Sequence, residues 1–439
     1  MSKRKKPSTV RHTRSNQLAR QTKPPTPPPD EVTAARIKEI IHPATMAQVS
    51  YYHHLGLRER TLTLPVMVAL LLSLVWRQFS SVNEALRIWQ KEAHLWAPTI
   101  RVSQQAISER LRTLPAELFA RILDDVLPQL QQRWKQRQRP LPEEIKWALT
   151  RYERVWAVDG STLDALVKRV GLLRNLPDHP LAGRMLAILD VTSRLPQRIW
   201  RTDDDRAHDQ RFWDDILPQI PANTLLLFDL GFTNFARYRQ LTERNVTFIT
   251  RAKKNLSYRR YRIFAHHGSV HDYGIVVDEG GRPLRLRLVE VYYQGHWRRY
   301  LTNELDPQQL PVLYLVALYW QRWRIEDAYK QVKRLLGLAY FWVGSDNGVA
   351  LQLWATWLLY AVLVDLSDEV AGELGVPLAD ISLEMVYRSL YFCVNAIQRG
   401  ETNNPVQYLA ENAQLFGLIK RKRKPPALTR LNLTLHRKP

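Results

Sequence analysis

After Glu143 the chain is punctuated by short, almost wholly apolar runs, and this pattern restricts the fold more than any other feature of the sequence. The runs are Val155-Trp156-Ala157-Val158, Met185 to Leu189, Gln197 to Trp200, Leu225 to Phe228 and Val246 to Ile249. Bounded by turns, they read as strands. Helical patterns fall at about Asp209 to Leu217 and Thr233 to Glu243. The resulting order of three strands, a helix, a strand, a helix and a strand predicts an α/β domain. From about residue 257 to 301 the chain is richer in strands, including Leu284 to Tyr293 and Trp297 to Leu301, and carries the turn Glu279-Gly280-Gly281-Arg282. This stretch reads as a β-rich insertion. One strong helix is expected from about Pro311 to Leu336, with further helices to about Leu418.

Before this domain, Asp30 to about Pro142 has helical periodicity, with Leu64 to Leu72 and Leu118 to Leu130 as core helices. Between them lies a polar helix capped by Ser103. In it Ala106, Ile107 and Leu111 can face a core, while Gln104, Gln105, Ser108 and Arg112 project outward. That face suits a DNA groove, although ordinary surface helices carry the same pattern. The expected organisation is a disordered basic arm over 1–30 and a helical DNA-binding domain over 31–142. The α/β domain over 143–345 carries the insertion. A C-terminal helical region over 346–418 and a basic tail over 419–439 follow.

Charge narrows the partners. Lys and Arg number 64 against 42 acids, a net charge of +22, which suits a polyanion such as nucleic acid. Much of the excess sits at the two ends. Lys3, Arg4, Lys5, Lys6, Arg11, Arg14, Arg20 and Lys23 precede a proline-rich stretch, and Lys420 to Lys424, Arg430, Arg437 and Lys438 follow the last acid. Such arms either neutralise phosphates, which makes binding strongly salt-dependent, or only aid solubility. The single cysteine, Cys393, excludes an intramolecular disulfide and a multi-cysteine zinc site, and suggests a reducing compartment. No apolar segment follows the basic N-terminal residues, which argues against a secretory signal. The apolar stretch Leu351 to Val364 stops at Asp365, short of the roughly 20 residues a spanning helix needs, and reads as a buried core helix.

Two acids stand at the ends of apolar runs: Asp159, before Gly160-Ser161, and Asp229, before Leu230-Gly231-Phe232. Either alone could be a turn or helix cap. A third acid, Glu326, lies in the long helix, where Tyr319, Arg322, Glu326, Lys330 and Lys333 are spaced to share one face. Ile325, Ala328, Tyr329, Val332 and Leu336 form the opposite, packing stripe. Asp327 points about 100° away from Glu326 and cannot replace it. A solvated helix laced with salt bridges would show the same charges. Asp203-Asp204-Asp205 reads as a solvated loop and Asp190 as structural. His53-His54, His266-His267 and His271 have no second half of a metal site nearby.

The pattern Tyr319, Arg322, Glu326 and Lys333, behind Val158-Asp159-Gly160-Ser161 and Phe228-Asp229-Leu230-Gly231-Phe232, resembles bacterial insertion-sequence transposases of the IS-four type, a group that includes the Tn-five transposase. The resemblance covers roughly residues 150–340. It implies an α/β fold with a ribonuclease-H-like catalytic core, a β-rich insertion and flanking N- and C-terminal helical regions. It also implies a cytoplasmic, nucleoid-associated bacterial protein that acts as a homodimer on double-stranded DNA, namely transposon terminal inverted repeats and target DNA.

By the same resemblance Asp159, Asp229 and Glu326 bind two Mg²⁺ ions, with Mn²⁺ as a substitute. Asp159 bridges both ions, while Asp229 holds one and Glu326 the other. Paired cations stabilise the attacking and leaving oxygens of a phosphodiester displacement. The strand cut by water then supplies a 3′-OH for strand transfer, without a covalent enzyme intermediate. Tyr319, Arg322, Lys333 and, more weakly, Lys330 would grip phosphates. Trp323 and Trp297 are candidates for accommodating a flipped base. A nuclease or resolvase without strand transfer, and an inactive transposase-derived DNA-binding protein, share much of this pattern.

Overall fold

A computed structural model describes residues 31–57, 60–79, 81–163, 183–202, 204, 207–336, 345–420 and 428–429. The basic arm over 1–30 and most of the basic tail lie outside the described residues. The chain begins with helices α1 (Glu31–Ala47), α2 (Val49–His54), α3 (Leu64–Trp76), α4 (Val82–Trp89), α5 (Gln104–Thr113), α6 (Glu117–Gln136) and α7 (Glu143–Leu149). Strands β1 (Arg154–Thr162), β2 (Arg184–Asp190) and β3 (Pro196–Thr202) follow. The short helix α8 (Trp213–Ile216), entered through a 3₁₀ turn over Asp209–Phe212, precedes β4 (Thr224–Phe228), α9 (Phe235–Glu243) and β5 (Val246–Arg251). All five expected strands and the helical stretches between them are present.

The sheet does not stop at β5. Strands β6 (Arg259–His267), β7 (Val270–Glu279), β8 (Arg282–Tyr293) and β9 (His296–Thr302) extend it, in the order β3-β2-β1-β4-β5-β9-β8-β7-β6. β2 runs antiparallel to β1 and β3, while β1, β4 and β5 are parallel. β9 pairs antiparallel with β5, from Ile249↔Thr302 to Arg251↔Tyr300, so the β-rich stretch shares the sheet's hydrogen-bonding edge. Gly280 and Gly281, both at positive φ, close the β7–β8 hairpin.

Side-chain alternation divides the central sheet into two layers. Val155, Ala157, Ala187, Leu225, Leu227 and Ile249 point into a large core shared with the helices. Trp156, Val158, Leu186, Leu226, Phe228 and Phe248 point into a second core. There Trp213 meets Phe228 and Phe232 edge-on at 5.6 and 5.7 Å. Being buried on both faces, these strands read in sequence as continuous apolar runs rather than alternating ones.

After the sheet come α10 (Val312–Gln321), α11 (Trp323–Lys330) with a terminal π turn over Gln331–Leu335, α12 (Asp346–Glu373), α13 (Leu383–Gln398) and α14 (Pro405–Glu411). The single helix expected from Pro311 to Leu336 is therefore two, broken at Arg322. The stripe Ile325, Ala328, Tyr329, Val332 and Leu336 is buried as expected. Among the described residues α12 alone is long and apolar enough to cross a membrane, and 89% of its apolar window is buried inside the chain. It packs against α1, α3, α5 and α6, so helices from both ends of the sequence share one core. Its buried acids are neutralised there. Asp365 pairs with Arg36 at 2.6 Å and Arg137 at 2.7 Å, and Asp368 with Arg139 at 2.6 Å. Removing one partner of such a buried pair costs about 3–5 kcal/mol.

Candidate active site

The strand register brings two acids to one place. β1 and β4 pair in parallel from Arg154↔Thr224 to Val158↔Phe228. Asp159 and Asp229 are each the next residue, at the same level beyond the ends of this ladder, whose strands run about 4.8 Å apart. Both continue the odd-numbered side of the strands, the side that faces the helices. Asp159 does not end its strand, as its sequence suggested. β1 runs on to Thr162 against β2, with Asp159 opposite Ala187, and only the parallel ladder stops at Val158. Asp229 does leave its strand. It caps the 3₁₀ turn Leu230–Phe232, accepting the Gly231 N–H at 2.8 Å, and its own carbonyl accepts from the Thr250 hydroxyl at 3.1 Å.

Glu326 arrives from α11. The break in the helix sets Arg322 between two carboxylates: its Nη1 donates to Asp159 Oδ2 at 2.9 Å and its Nη2 to Glu326 Oε1 at 2.7 Å. Asp159 is buried while the Glu326 side chain remains 36% exposed. Burial pushes the Asp159 carboxyl up to about 7, against the pull of Arg322, and the nearby Asp229 and Glu326 push the same way. Arg322 loses solvation by burial, yet Asp159, Tyr319 and Glu326 together raise its guanidinium well above its ordinary value. Among the described residues, no three His, Cys, Asp or Glu side chains gather as a ready-made metal centre. Arg322 is the cation that links Asp159 to Glu326.

The other residues singled out in the helix do not form one open face. Tyr319 is buried, with its ring 5.2 Å from Tyr300, and burial pushes its phenol up to about 12. Lys333 donates to Ser161 Oγ at 2.6 Å and to the Thr162 carbonyl, which ties the π turn to the end of β1. Lys330 is exposed, as is Trp323, whose ring centre lies 5.3 Å from the Arg322 guanidinium carbon. Trp297, on β9, is exposed and stacks on His271 at 4.3 Å, and His271 stacks on His266 at 4.1 Å. Helix α5 is capped by Ser103 Oγ as expected, with Ile107 and Leu111 buried. Gln104, Gln105, Ser108 and Arg112 are exposed, and Arg112 pairs with Glu109 at 2.8 Å. Ala106, expected to face the core, is exposed, since the short helix buries only a narrow stripe.

Asp190 is buried in a turn, its carboxylate accepting from the backbone of Thr192 and Ser193. Asp204 is exposed beside Arg211, while Asp203 and Asp205 lie outside the described residues. Asp327 points away from the site, with Arg324 3.9 Å off. Three participants were given no role at the site from the sequence. Tyr329, read as a packing residue, donates its hydroxyl to the Asp159 carbonyl at 2.6 Å. Asp209 and Arg184 form an ion pair at 2.5 Å beneath Gly160. The signal that could have found the pair is the glycine shortly after each strand-end acid, which leaves room for a close neighbour.

Residues 181–362 match the family model of the transposase DDE domain, a segment that includes Asp229 and Glu326 and begins after Asp159. A candidate transposase of Sinorhizobium fredii, y4zB, is 28% identical over 192 residues, 41% of this chain and 52% of that protein. A candidate transposase for the insertion sequence element IS4SA of Synechocystis is 20% identical over 193 residues, covering 43% and 53% respectively. The chain spans about half the length of the curated relatives it matches. These likenesses support an insertion-sequence DDE transposase.

Proposed function

We propose that this chain is a DDE transposase with a ribonuclease-H-like core. In this reading it binds the terminal inverted repeats of its element, cleaves there and joins the 3′-OH ends to target DNA by cut-and-paste. The observation that carries the proposal is the level placement of Asp159 and Asp229 on one side of adjacent parallel strands, with Glu326 drawn to Asp159 through Arg322. The strand order β3-β2-β1-β4-β5, with only β2 reversed, supports the ribonuclease-H-like core. The IS-four assignment rests on Tyr319, Arg322, Glu326 and Lys333.

The donor set fits hard divalent cations, which prefer oxygen ligands, and a cationic group already lies between Asp159 and Glu326. Asp159 and Asp229 would hold one Mg²⁺, and Asp159 with Glu326 a second, Mn²⁺ serving as a substitute. When bound, such a pair supplies Lewis-acid stabilisation of the oxygens around the scissile phosphate.

The chain's own residues orient the substrate. Arg322 offers a planar fork suited to a phosphate, and buried Tyr319 backs it. Lys333 holds positive charge at the end of β1. Exposed Lys330, Trp323 and Trp297 extend the surface toward the transposon end, and the exposed face of α5 supplies further DNA contacts. A homodimer in the DNA complex would bring two ends together.

The test is Mg²⁺-dependent cleavage and strand transfer on duplexes carrying the ends of the flanking element. The intact chain is compared with Asp159→Ala and Glu326→Ala. Joining that both variants lose supports the reading. Cutting without joining identifies a nuclease, and activity unchanged in both variants removes the triad.

A further inference from the structure

On the side of the sheet opposite Asp159 lies a carboxylate to which the proposed chemistry gives no role. Asp209 opens the 3₁₀ turn after β3 and is buried. A methyl carbon added at Gly160 would fall 2.1 Å from Asp209 Oδ1 and 2.9 Å from both Nε and Nη2 of Arg184. One added at Gly231 would fall 3.0 Å from Asp209 Oδ2 and 3.0 Å from Asp229 Oδ1. A single carboxylate therefore rests against both backbone segments that follow the site's two aspartates, and glycine permits that approach. The second set of distances also puts Asp209 Oδ2 within about 6 Å of Asp229 Oδ1.

The turn that carries Asp209 is itself anchored. Trp213, directly after it, donates its indole N–H to the Phe232 carbonyl at 3.2 Å, tying it to the turn that Asp229 caps. Arg184, the first residue of β2, reaches the same spot and pairs with Asp209. Stability alone is a weak reason for this arrangement. A buried ion pair is often no better than apolar residues of similar volume, and a carboxylate this close to Asp229 adds repulsion.

We infer that Asp209 is a positioning residue of the metal site, an inference that rests on the two-metal reading above. Held by Arg184, it fixes the spacing of the segments bearing Asp159 and Asp229, and its charge strengthens the field that draws a divalent cation. Asp209 acts through the two aspartates rather than on the reacting atoms.

The test uses the full chain and Mn²⁺ alone as probe, with free Mn²⁺ followed by electron paramagnetic resonance and folding by circular dichroism. Asp209→Asn keeps the shape and is expected to weaken Mn²⁺ binding by about tenfold or more, as loss of a supporting partner does in metal sites, with the fold retained. Arg184→Lys keeps the charge but loses the fork, and is expected to weaken binding less. It also provides the reading should Asp209→Asn fail to fold. A folded Asp209→Asn, or a folded Arg184→Lys if the first does not fold, that binds Mn²⁺ as the unaltered chain does overturns the inference. Asp159→Asn separates the two levels. If it abolishes binding while the other variants do not, only the role of Asp209 falls. If it changes nothing, or the unaltered chain binds no Mn²⁺, the two-metal reading falls and takes this inference with it.

Discussion

The end of β1 has two sides, and an arginine serves each. On the side of the helices, Arg322 spans buried Asp159 and Glu326, and only the Glu326 end of the bridge is open to solvent. On the other side, Arg184 meets Asp209 against Gly160 and Gly231, mostly buried, as the Arg322–Asp159 pair is. The same ionic chemistry has different consequences in the two settings. A cation that reaches the open side can compete for the carboxylates and release Arg322 to a phosphate. The Arg184–Asp209 pair lacks an open end like Glu326, so it holds its neighbours in place and adds its charge to the field around Asp229. Asp159 and Glu326 are thus available to a ligand, while Asp209 keeps the segments of Asp159 and Asp229 spaced.

The largest expected effect breaks the open side at its centre. Asp159→Asn should reduce cleavage and joining to background, while circular dichroism stays unchanged. Retained joining activity would mean that the two sides do not differ in the way described.

Arg322→Ala comes next and acts on stability. It leaves Asp159 without its cation, and removing one member of a buried pair costs about 3–5 kcal/mol, toward the lower end here because Glu326 keeps contact with water. The loss should depend on pH. Asp159 sits at about 7 in the folded chain against an ordinary value of 3.8, so between these values the folded form holds a proton that the unfolded form has released. This residue's contribution to stability is fully present below about pH 4 and is lost as pH rises through 7. Urea unfolding should therefore show a smaller cost of Arg322→Ala at pH 5 than at pH 8. Equal costs would show that Arg322 does not neutralise Asp159. Mn²⁺ binding without DNA should tighten in the same variant, because a competitor for the two carboxylates is gone.

The proton on Asp159 also sharpens the comparison through the metal. Binding a cation on the open side must displace that proton, so apparent Mn²⁺ affinity should rise about tenfold per pH unit below 7 and level off above it. Isothermal titration at several pH values, with proton release followed in buffers of different ionisation enthalpy, checks this. A flat profile between pH 5.5 and 7 would place the metal elsewhere.

Much of the open side was legible in the sequence because its signals are local. Val155 to Val158 and Leu225 to Phe228 are continuous apolar runs, and a carboxylate following each must lie near a strand end. The stripe from Ile325 to Leu336 shows which side of α11 packs. The break at Arg322 was not legible, since nothing between Tyr319 and Trp323 lacks helix-forming ability. It arises where the guanidinium spans two acids from different elements. The nine-stranded sheet was hidden for a similar reason, because the join of β9 to β5 is a register choice with no local signature. Asp209 was the least visible of all. In sequence it is an ordinary acid in the first turn of a helix, and only the tertiary fold brings it under two glycines far from it in the chain.

The smallest expected effect tests whether Asp159 is held by its backbone as well as by charge. The Tyr329 hydroxyl donates to the Asp159 carbonyl at 2.6 Å from the middle of an otherwise apolar stripe. Tyr329→Phe keeps the ring and removes one hydrogen bond, which is worth about 1 kcal/mol in folding stability. Because β1, the Arg322 bridge and the Asp209 pair all remain, Mn²⁺ affinity should change by less than about threefold, the equivalent of roughly 0.6 kcal/mol. A larger loss of metal binding with little loss of stability would move Tyr329 from packing to positioning. The open side would then prove to be braced from within the helical core as well as from behind the sheet.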